Sequence, residues 1–477
     1  MSFIGRAHKK SCAALAFVLL LTLFGCGPET HHEPLPNILL IVMDTTRADH
    51  CSVYGYGRDT TPALRALAEK GTRFTAAYAP MGITGPSHAS LFTSKHPLSL
   101  GFVQNGLRLE EKHQTLAEYL TKNGYETAGI VSSFVLDRKF GFAQGFSHYD
   151  DAFDPTEVTI THAEWEGHEV PDGAFDRRGD YTTERALSWI SGRSNTKSPF
   201  FAFVHYMDPH SPYTPPSTVA GTFEAAVDSG KERAQVVARY DEEIAFVDQA
   251  IGDLLAGLDK LNLAEDTIVI VTADHGEGLT QRGYWQHGLT VYEEEVRVPL
   301  IIRWPGRVRA NQTIEEPVVL ADAYPTLVDL LELPVPRKAL EGMSLGEALR
   351  GQNDLNPLRP IHLYRRPFAD GTKVSGVTRI VGDEKQQLNI HVSGEQFALR
   401  EGEWKYTLAP AENKTGLFNL PSDPLEIRNA ATNDPERAQA MNDQLTRWVE
   451  DHRKPVSKDA VLTTLDREAL EALGYIE

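Results

Sequence analysis

Cysteine is scarce in this chain: Cys12, Cys26 and Cys51 are the only three in 477 residues, which excludes a disulfide-stapled scaffold. Glycine and proline, at 37 and 28, are too few and too scattered for a collagen-like or low-complexity chain. Positive charge is also short. Lys and Arg number 47 against 66 Asp and Glu, a formal charge of −19, so nucleic acid and anionic membrane surfaces are repelled at long range. The deficit does not exclude an anionic substrate, because a bound cation reverses the field inside one cleft. With 41% of residues hydrophobic, the chain has too much apolar side chain for an acidic disordered protein. Its length predicts one large unit with an appendage, or two domains.

What apolar runs there are begin at the N-terminus. Arg6, Lys9 and Lys10 precede an apolar stretch from Ala13 to Phe24, too short for a comfortable bilayer span and patterned as a bacterial secretory signal. The ending Leu23-Phe24-Gly25-Cys26 resembles a lipobox, which makes Cys26 the expected lipid-anchor site and first mature residue. An uncleaved N-terminal anchor is the alternative. Cleavage would remove three positive charges and leave Cys51 as the only unmodified thiol. The expected divisions are a lipoprotein-type signal peptide over 1–25, a tether over 26–36, a catalytic domain over 37–355 and a C-terminal subdomain over 356–477. The chain is then exported and held on the periplasmic side of the cell envelope or in the outer membrane, with no obligate protein partner.

From Asn37 the pattern alternates between strand and helix signals. Asn37 to Met43 is a continuous apolar run bounded by Pro36 and Asp44, as in a parallel strand covered on both faces. Thr61-Pro62 with Leu64 and Leu67, and Leu116 to Gly124, read as helices with glycine stops. Thr127 to Val131, Phe200 to Val204 and Thr267 to Thr272 read as strands. Ile244, Val247, Ile251, Leu254 and Leu258 form a helical stripe. The alternation predicts an α/β fold, a mostly parallel central sheet with helices on both faces. Near the C-terminus, residues 397–400 and 404–408 alternate around Glu401-Gly402-Glu403 as a hairpin. Ala438, Met441, Leu445 and Trp448 mark a helix, and residues 462–476 a further short one. Residues 150–180 and 219–239 read as loops shaping the pocket entrance.

Sheets of this kind place their sites at the carboxyl ends of strands. Asp44 directly follows the first strand, and Asp274-His275-Gly276-Glu277 follows the strand ending at Thr272. If those strands are parallel, two carboxylates and an imidazole share one edge, a donor set suited to a divalent cation; taken singly, each Asp also fits a helix cap or turn. Pro86 sits as in the first turn of a helix, so Thr84 lies near an N-terminus that favours an anion. There it is either a simple cap or, beside a metal, a nucleophile for a phosphorus or sulfur centre.

Residues 36–49 (PNILLIVMDTTRAD), Thr84-x-Pro86-Ser87 with its trailing Ala-Ser-Leu, and Thr272-Ala-Asp274-His275-Gly-Glu277 resemble the sulfatase family of the alkaline phosphatase superfamily. His205-Tyr-Met-Asp208-Pro-His210, Tyr292-Glu-Glu294 with Arg297-Val-Pro299, Ala321-Asp322-Ala-Tyr-Pro325 and Gly402-Glu-Trp-Lys405-Tyr406 extend the resemblance in order, over residues 36 to 450. It implies an alkaline-phosphatase-like fold with a small C-terminal antiparallel-sheet subdomain. Three departures bear on the reaction. Thr84 occupies the first position of the C/S-x-P-x-R motif, where sulfatases carry the cysteine or serine that becomes formylglycine; its β-methyl prevents that aldehyde. His88 replaces the motif's arginine, and no Lys-x-His equivalent is present. Asp44-Thr45 replaces the paired Asp-Asp after the first strand.

Threonine nucleophiles do occur in lipoteichoic acid synthases and phosphoethanolamine transferases, which resemble sulfatases in fold and use one metal. By that resemblance Asp44, Thr84, Asp274 and His275 hold one divalent ion, Ca, Mn, Mg or Zn. Thr84, His210 and His287 are the expected catalytic residues, and His88 and Arg47 the expected substrate contacts. Read from the residues alone, His210 and His287 also fit hydrogen-bonded loop histidines, Arg47 a salt bridge near the metal site, and Glu277 a turn cap. The expected activity is metal-dependent hydrolysis of an anionic phosphate, phosphonate or sulfate ester. Phosphoryl transfer in the envelope and silent glycan binding are the alternatives.

Overall fold

The apolar run at Asn37 forms the middle of the molecule because it is flanked on both sides by strands as apolar as itself. The computed structural model describes residues 34–158, 164–165, 168–169, 175–193, 196–223, 231–374, 378–381, 384–387 and 390–472; the expected signal peptide and Cys26 lie outside them. The strands of the principal sheet are β1 (Asn37–Met43), β2 (Thr72–Tyr78), β3 (Glu126–Ile130), β4 (His148–Asp150), β5 (Phe200–Tyr206), β6 (Thr267–Ala273), β7 (Arg297–Arg303), β8 (Gln312–Ile314) and β9 (Val318–Val319). Their order is β8-β2-β7-β6-β1-β5-β3-β4, with β9 also on β2. β1 pairs in parallel with both β5 and β6, and of the nine strands only β7 runs against its neighbours. The sheet is therefore mostly parallel, as the alternation implies.

Alternate residues of these strands serve opposite faces. Leu39, Ile41 and Met43 join Val204, Val269 and Val271 in one core with the apolar stripes of α1 (Pro62–Glu69), α4 (Gly179–Ser191) and α5 (Lys231–Lys260). Across the sheet, Phe203 of β5 packs edge-on against Phe92, ring centroids 4.8 Å apart, on α2 (Thr84–Thr93). α3 (Leu116–Lys122) starts with a capping box between Thr115 and Glu118. Helix α5 begins at Lys231, so residues 231–239 are its opening turns and not part of the entrance loop expected over 219–239. The stripe hides this, since among the described side chains of 233–239 only the small Ala234 and Ala238 are buried.

The C-terminal sheet consists of β10 (Ile361–Val374), β11 (Ile390–Glu401), β12 (Trp404–Ala409) and β13 (Lys414–Asn419), antiparallel throughout. Met441 and Leu445 of a helix over Pro435–His452 pack on it, and another helix covers Thr464–Ala472. The same cluster takes in Met81 and Ile83, the residues leading into α2, so this sheet braces the segment that delivers Thr84. Residues 36–477 form one compact unit. Among the described residues, no helix is long and apolar enough to cross a membrane.

Candidate active site

Strand register brings the two carboxylates together. Met43 lies opposite Ala273 on one side and Tyr206 on the other, so Asp44 and Asp274 each sit one residue beyond the same sheet edge. The chain turns sharply there. Thr45 takes a left-handed φ of 50°, costly for a β-branched residue. It is held by its N–H donating to Asp274 Oδ1 at 3.2 Å and its carbonyl accepting from Tyr240 Oη at 2.7 Å. Asp274 Oδ1 also accepts from the His275 N–H at 2.8 Å.

The remaining carboxylate oxygens are a different matter. Asp44 is fully buried, yet neither of its oxygens has a hydrogen-bond partner among the described residues, and nor does Asp274 Oδ2. Burial raises both groups well above the ordinary carboxylate range, and the charge of Asp44 raises Asp274 further. His275 completes the cluster. Its Nδ1 faces the Gly276 carbonyl at 2.9 Å and therefore carries the hydrogen, which leaves the Nε2 lone pair 3.7 Å from Asp44 Oδ1 and 3.5 Å from Asp274 Oδ2. Burial first, then neighbouring rings, lower His275 to about 3, so it is neutral and fit to ligate. One atom each of Asp44, Asp274 and His275 lie within 4.8 Å of one another. Two orphaned buried carboxylates and a neutral imidazole fit a divalent cation.

Thr84 opens α2, whose ten residues are all buried. Its Oγ1 lies 3.3 Å from His275 Nε2. Ser87 Oγ, one turn on, donates to the Asp274 carbonyl at 2.6 Å and pins the helix to the end of β6. Gly85 is needed between them: its N–H donates to Asn105 Oδ1 at 2.8 Å, and a Cβ there would meet the same oxygen at 2.7 Å.

His210 and His287 come together on the other side of His275. The Nδ1 of His210 faces the Ser211 carbonyl at 2.7 Å and that of His287 the Gly82 carbonyl at 2.9 Å, while their Nε2 atoms are 3.2 Å apart. Because carbonyls only accept, each Nδ1 carries a hydrogen, and a hydrogen bond between the Nε2 atoms requires one added proton. Burial and the neighbouring ring lower both to about 3. His287 also lies against His275, ring centroids 4.3 Å apart.

The two expected substrate contacts are placed differently. Arg47 is 2% exposed; it bonds both oxygens of Asp49, at 2.9 and 2.7 Å, and the Glu277 carbonyl at 3.0 Å. Those bonds make it a brace beneath the metal cluster. His88 donates from Nδ1 to the Thr84 carbonyl at 2.8 Å and lies 3.7 Å from Asp274 Oδ2, beside His205. His205 carries no role in the sequence reading, although it stands in the quoted His205-to-His210 motif. In the structure its Nε2 is 3.3 Å from Asp44 Oδ2. The available signal was an imidazole in the otherwise apolar and aromatic run of β5, on the same face as Phe203.

Comparison with known proteins identifies the family. A family model described as Sulfatase matches residues 36–333. An ulvan-active sulfatase of Formosa agariphila is 28% identical over 388 residues, covering 75% of this chain and 74% of its own. Arylsulfatase K of Rattus norvegicus is 26% identical over 493 residues, with 90% of this chain and 82% of the relative covered. The crystal structure of a phosphonate monoester hydrolase of Agrobacterium radiobacter matches at a TM-score of 0.69 and 20% identity, over 87% of this chain and 96% of that one.

Proposed function

We propose that this chain, which belongs to the sulfatase family of the alkaline phosphatase superfamily and is an ester hydrolase, cleaves an anionic phosphate, phosphonate or sulfate ester with Thr84 as nucleophile. The observation that carries this is Thr84 Oγ1 at 3.3 Å from His275 Nε2, beside the orphaned oxygens of Asp44 and Asp274. Asp44, Thr84, Asp274 and His275 would hold one divalent cation. Such an ion lowers the pKa of a bound hydroxyl and offsets charge building on the substrate's oxygens.

The chain's own groups then account for the rest. Thr84 Oγ1 attacks the phosphorus or sulfur in line; that bond forms as the bond to the ester oxygen breaks, and the group is left on the threonine. The Nε2 lone pairs of His210 and His287 would take up the proton that Thr84 releases and pass it to the leaving oxygen; the pair would then take a proton from the water that cleaves the threonine ester and return it to Thr84 as the bond to Oγ1 breaks. The positive end of the α2 dipole, where Thr84 sits, favours the charge on the equatorial oxygens. Arg47 positions the Asp44–Asp49 turn, and His88 supports the cluster through Asp274. A formylglycine route is closed to a threonine.

The relatives act on different centres, as the names ulvan-active sulfatase and phosphonate monoester hydrolase indicate, so the test compares them directly. Thr84→Ala, purified with divalent metal restored, is assayed against aryl sulfate, aryl phosphate, a phosphodiester and a phosphonate monoester. Loss of turnover on the substrate that wild type prefers, with metal still bound, is expected. Wild-type turnover in the variant overturns the assignment. In the same reading the chain is exported and tethered to the envelope through Cys26, with residues 356–477 as a subdomain walling the cleft; Cys26→Ser would release it from the membrane fraction.

A further inference from the structure

We propose that His88, His205 and Asp274 form a second divalent-cation site, adjoining the first and sharing Asp274 and Asp44 with it. The inference rests on the reading of Asp44, Asp274 and His275 as the first site. One ring nitrogen of His88, one of His205 and a carboxylate oxygen of Asp274 lie within 4.8 Å of one another, and the rings of His88 and His205 meet edge-on with centroids 5.1 Å apart. His88 and His205 are wholly inaccessible, and Asp274 is 1% exposed.

Orphaned atoms point the same way. Neither nitrogen of His205 has a hydrogen-bond partner among the described residues, and nor do His88 Nε2 and Asp274 Oδ2. Leaving a buried polar group unsatisfied is costly, and here all three residues of one cluster carry such an atom. Buried imidazoles that serve only as packing normally find a carbonyl or hydroxyl. His88 does so with Nδ1, the atom that lies 3.7 Å from Asp274 Oδ2, on the Thr84 carbonyl, so Nε2 is the atom left with a lone pair to offer a cation.

Asp44 supplies the second argument. Its oxygens diverge: Oδ1 lies 3.7 Å from His275 Nε2, whereas Oδ2 lies 3.3 Å from His205 Nε2. A carboxylate serving one cation has no need to present its second, equally buried oxygen to a neutral imidazole on another strand. One spanning two cations does, and carboxylate-bridged pairs are a common way of clamping the oxygens of a transferring group. Two imidazoles with a carboxylate favour Zn2+ or another nitrogen-preferring transition ion over Ca2+.

Metal stoichiometry tests this on the full-length protein. After stripping and reloading with Zn2+, elemental analysis is expected to find two ions per chain in wild type and one in His205→Leu and in His88→Leu. Loading wild type with Mn2+ should give the EPR signature of a spin-coupled pair, a readout that needs no variant. Saturation of wild type at one ion, with an isolated Mn2+ spectrum and an unchanged count in His205→Leu, overturns the second site and leaves the first intact. No ion in wild type, with no change in His275→Leu, overturns both.

Discussion

Asp44 and Asp241 are both carboxylates with no solvent exposure, and they are treated in opposite ways. Asp241 accepts from His50 Nδ1 at 2.6 Å on one oxygen, and from Tyr56 Oη at 2.7 Å and Arg58 Nη1 at 2.6 Å on the other. Asp44 has nothing on either. The same contrast recurs on a larger scale. Lys405, buried in the C-terminal sheet, lies 3.0 Å from both Glu293 and Glu426, whereas the sheet edge at β1 and β6 gathers Asp44 and Asp274 with only neutral imidazoles beside them. Burying a charge is tolerable when partners replace the lost water. A fold that supplies partners at Asp241 and Lys405 but withholds them at Asp44 has reserved the second position for a ligand.

The strongest way to break that comparison is Asp274→Ala. Turnover on the preferred ester should fall on the order of 10³-fold or more, and bound metal should be lost. Next in size is stability. Asp241→Ala takes the buried carboxylate away from His50, Tyr56 and the half-buried Arg58 and should cost about 3–5 kcal/mol in denaturant unfolding. Asp44→Asn, measured in chelator, should lose nothing or gain, because no hydrogen bond to either carboxylate oxygen is forfeited. Equal losses in the two variants would end the distinction. Adding divalent metal sharpens it further: at 100 times its Kd the ion should stabilise wild type by about 2.7 kcal/mol, and Asp44→Asn by much less.

Asp248 gives the smallest and most specific effect. Its two oxygens accept from the Ala63 and Leu64 N–H groups at 2.8 and 2.9 Å, capping α1 from a neighbouring helix, and burial pushes it up to about 7 despite those bonds. Between the unfolded carboxylate value and 7, the folded state holds a proton that the unfolded state has lost, so this group's contribution to stability falls as pH rises. The melting temperature of wild type relative to Asp248→Asn should therefore be greatest near pH 4 and shrink toward pH 8. A gap that widens with pH would contradict the assignment.

Much of this was legible in the residues. Continuous apolar runs mark β1, β5 and β6, and an acidic residue just past two of them sets Asp44 and Asp274 on one edge if those strands are parallel. Thr84 was marked by Pro86 behind it. His205 was not, because its meaning depends on which face of β5 meets α2, and period-two alternation does not name the element opposite. Helix α2 itself carries no apolar stripe in Thr84-Gly-Pro-Ser-His-Ala-Ser-Leu-Phe-Thr93, being covered all round. The residue pattern allows Arg47 a salt bridge near the site, but which groups it meets, Asp49 and the Glu277 carbonyl, follows only from the fold. Nor does the alternation around Trp404 say that Lys405, an inward residue, meets Glu293, which opens a short helix over Glu293–Val296, and Glu426.

By itself, then, the sequence determined the sheet, its buried strands and the identity of the groups at its edge, since these follow from local hydrophobic period and from side-chain chemistry. Only the tertiary structure decided which buried charges are neutralised and which are left waiting. That depends on partners more than 180 residues away, as His50 to Asp241 and Thr45 to Asp274 are, and no local pattern encodes such a meeting.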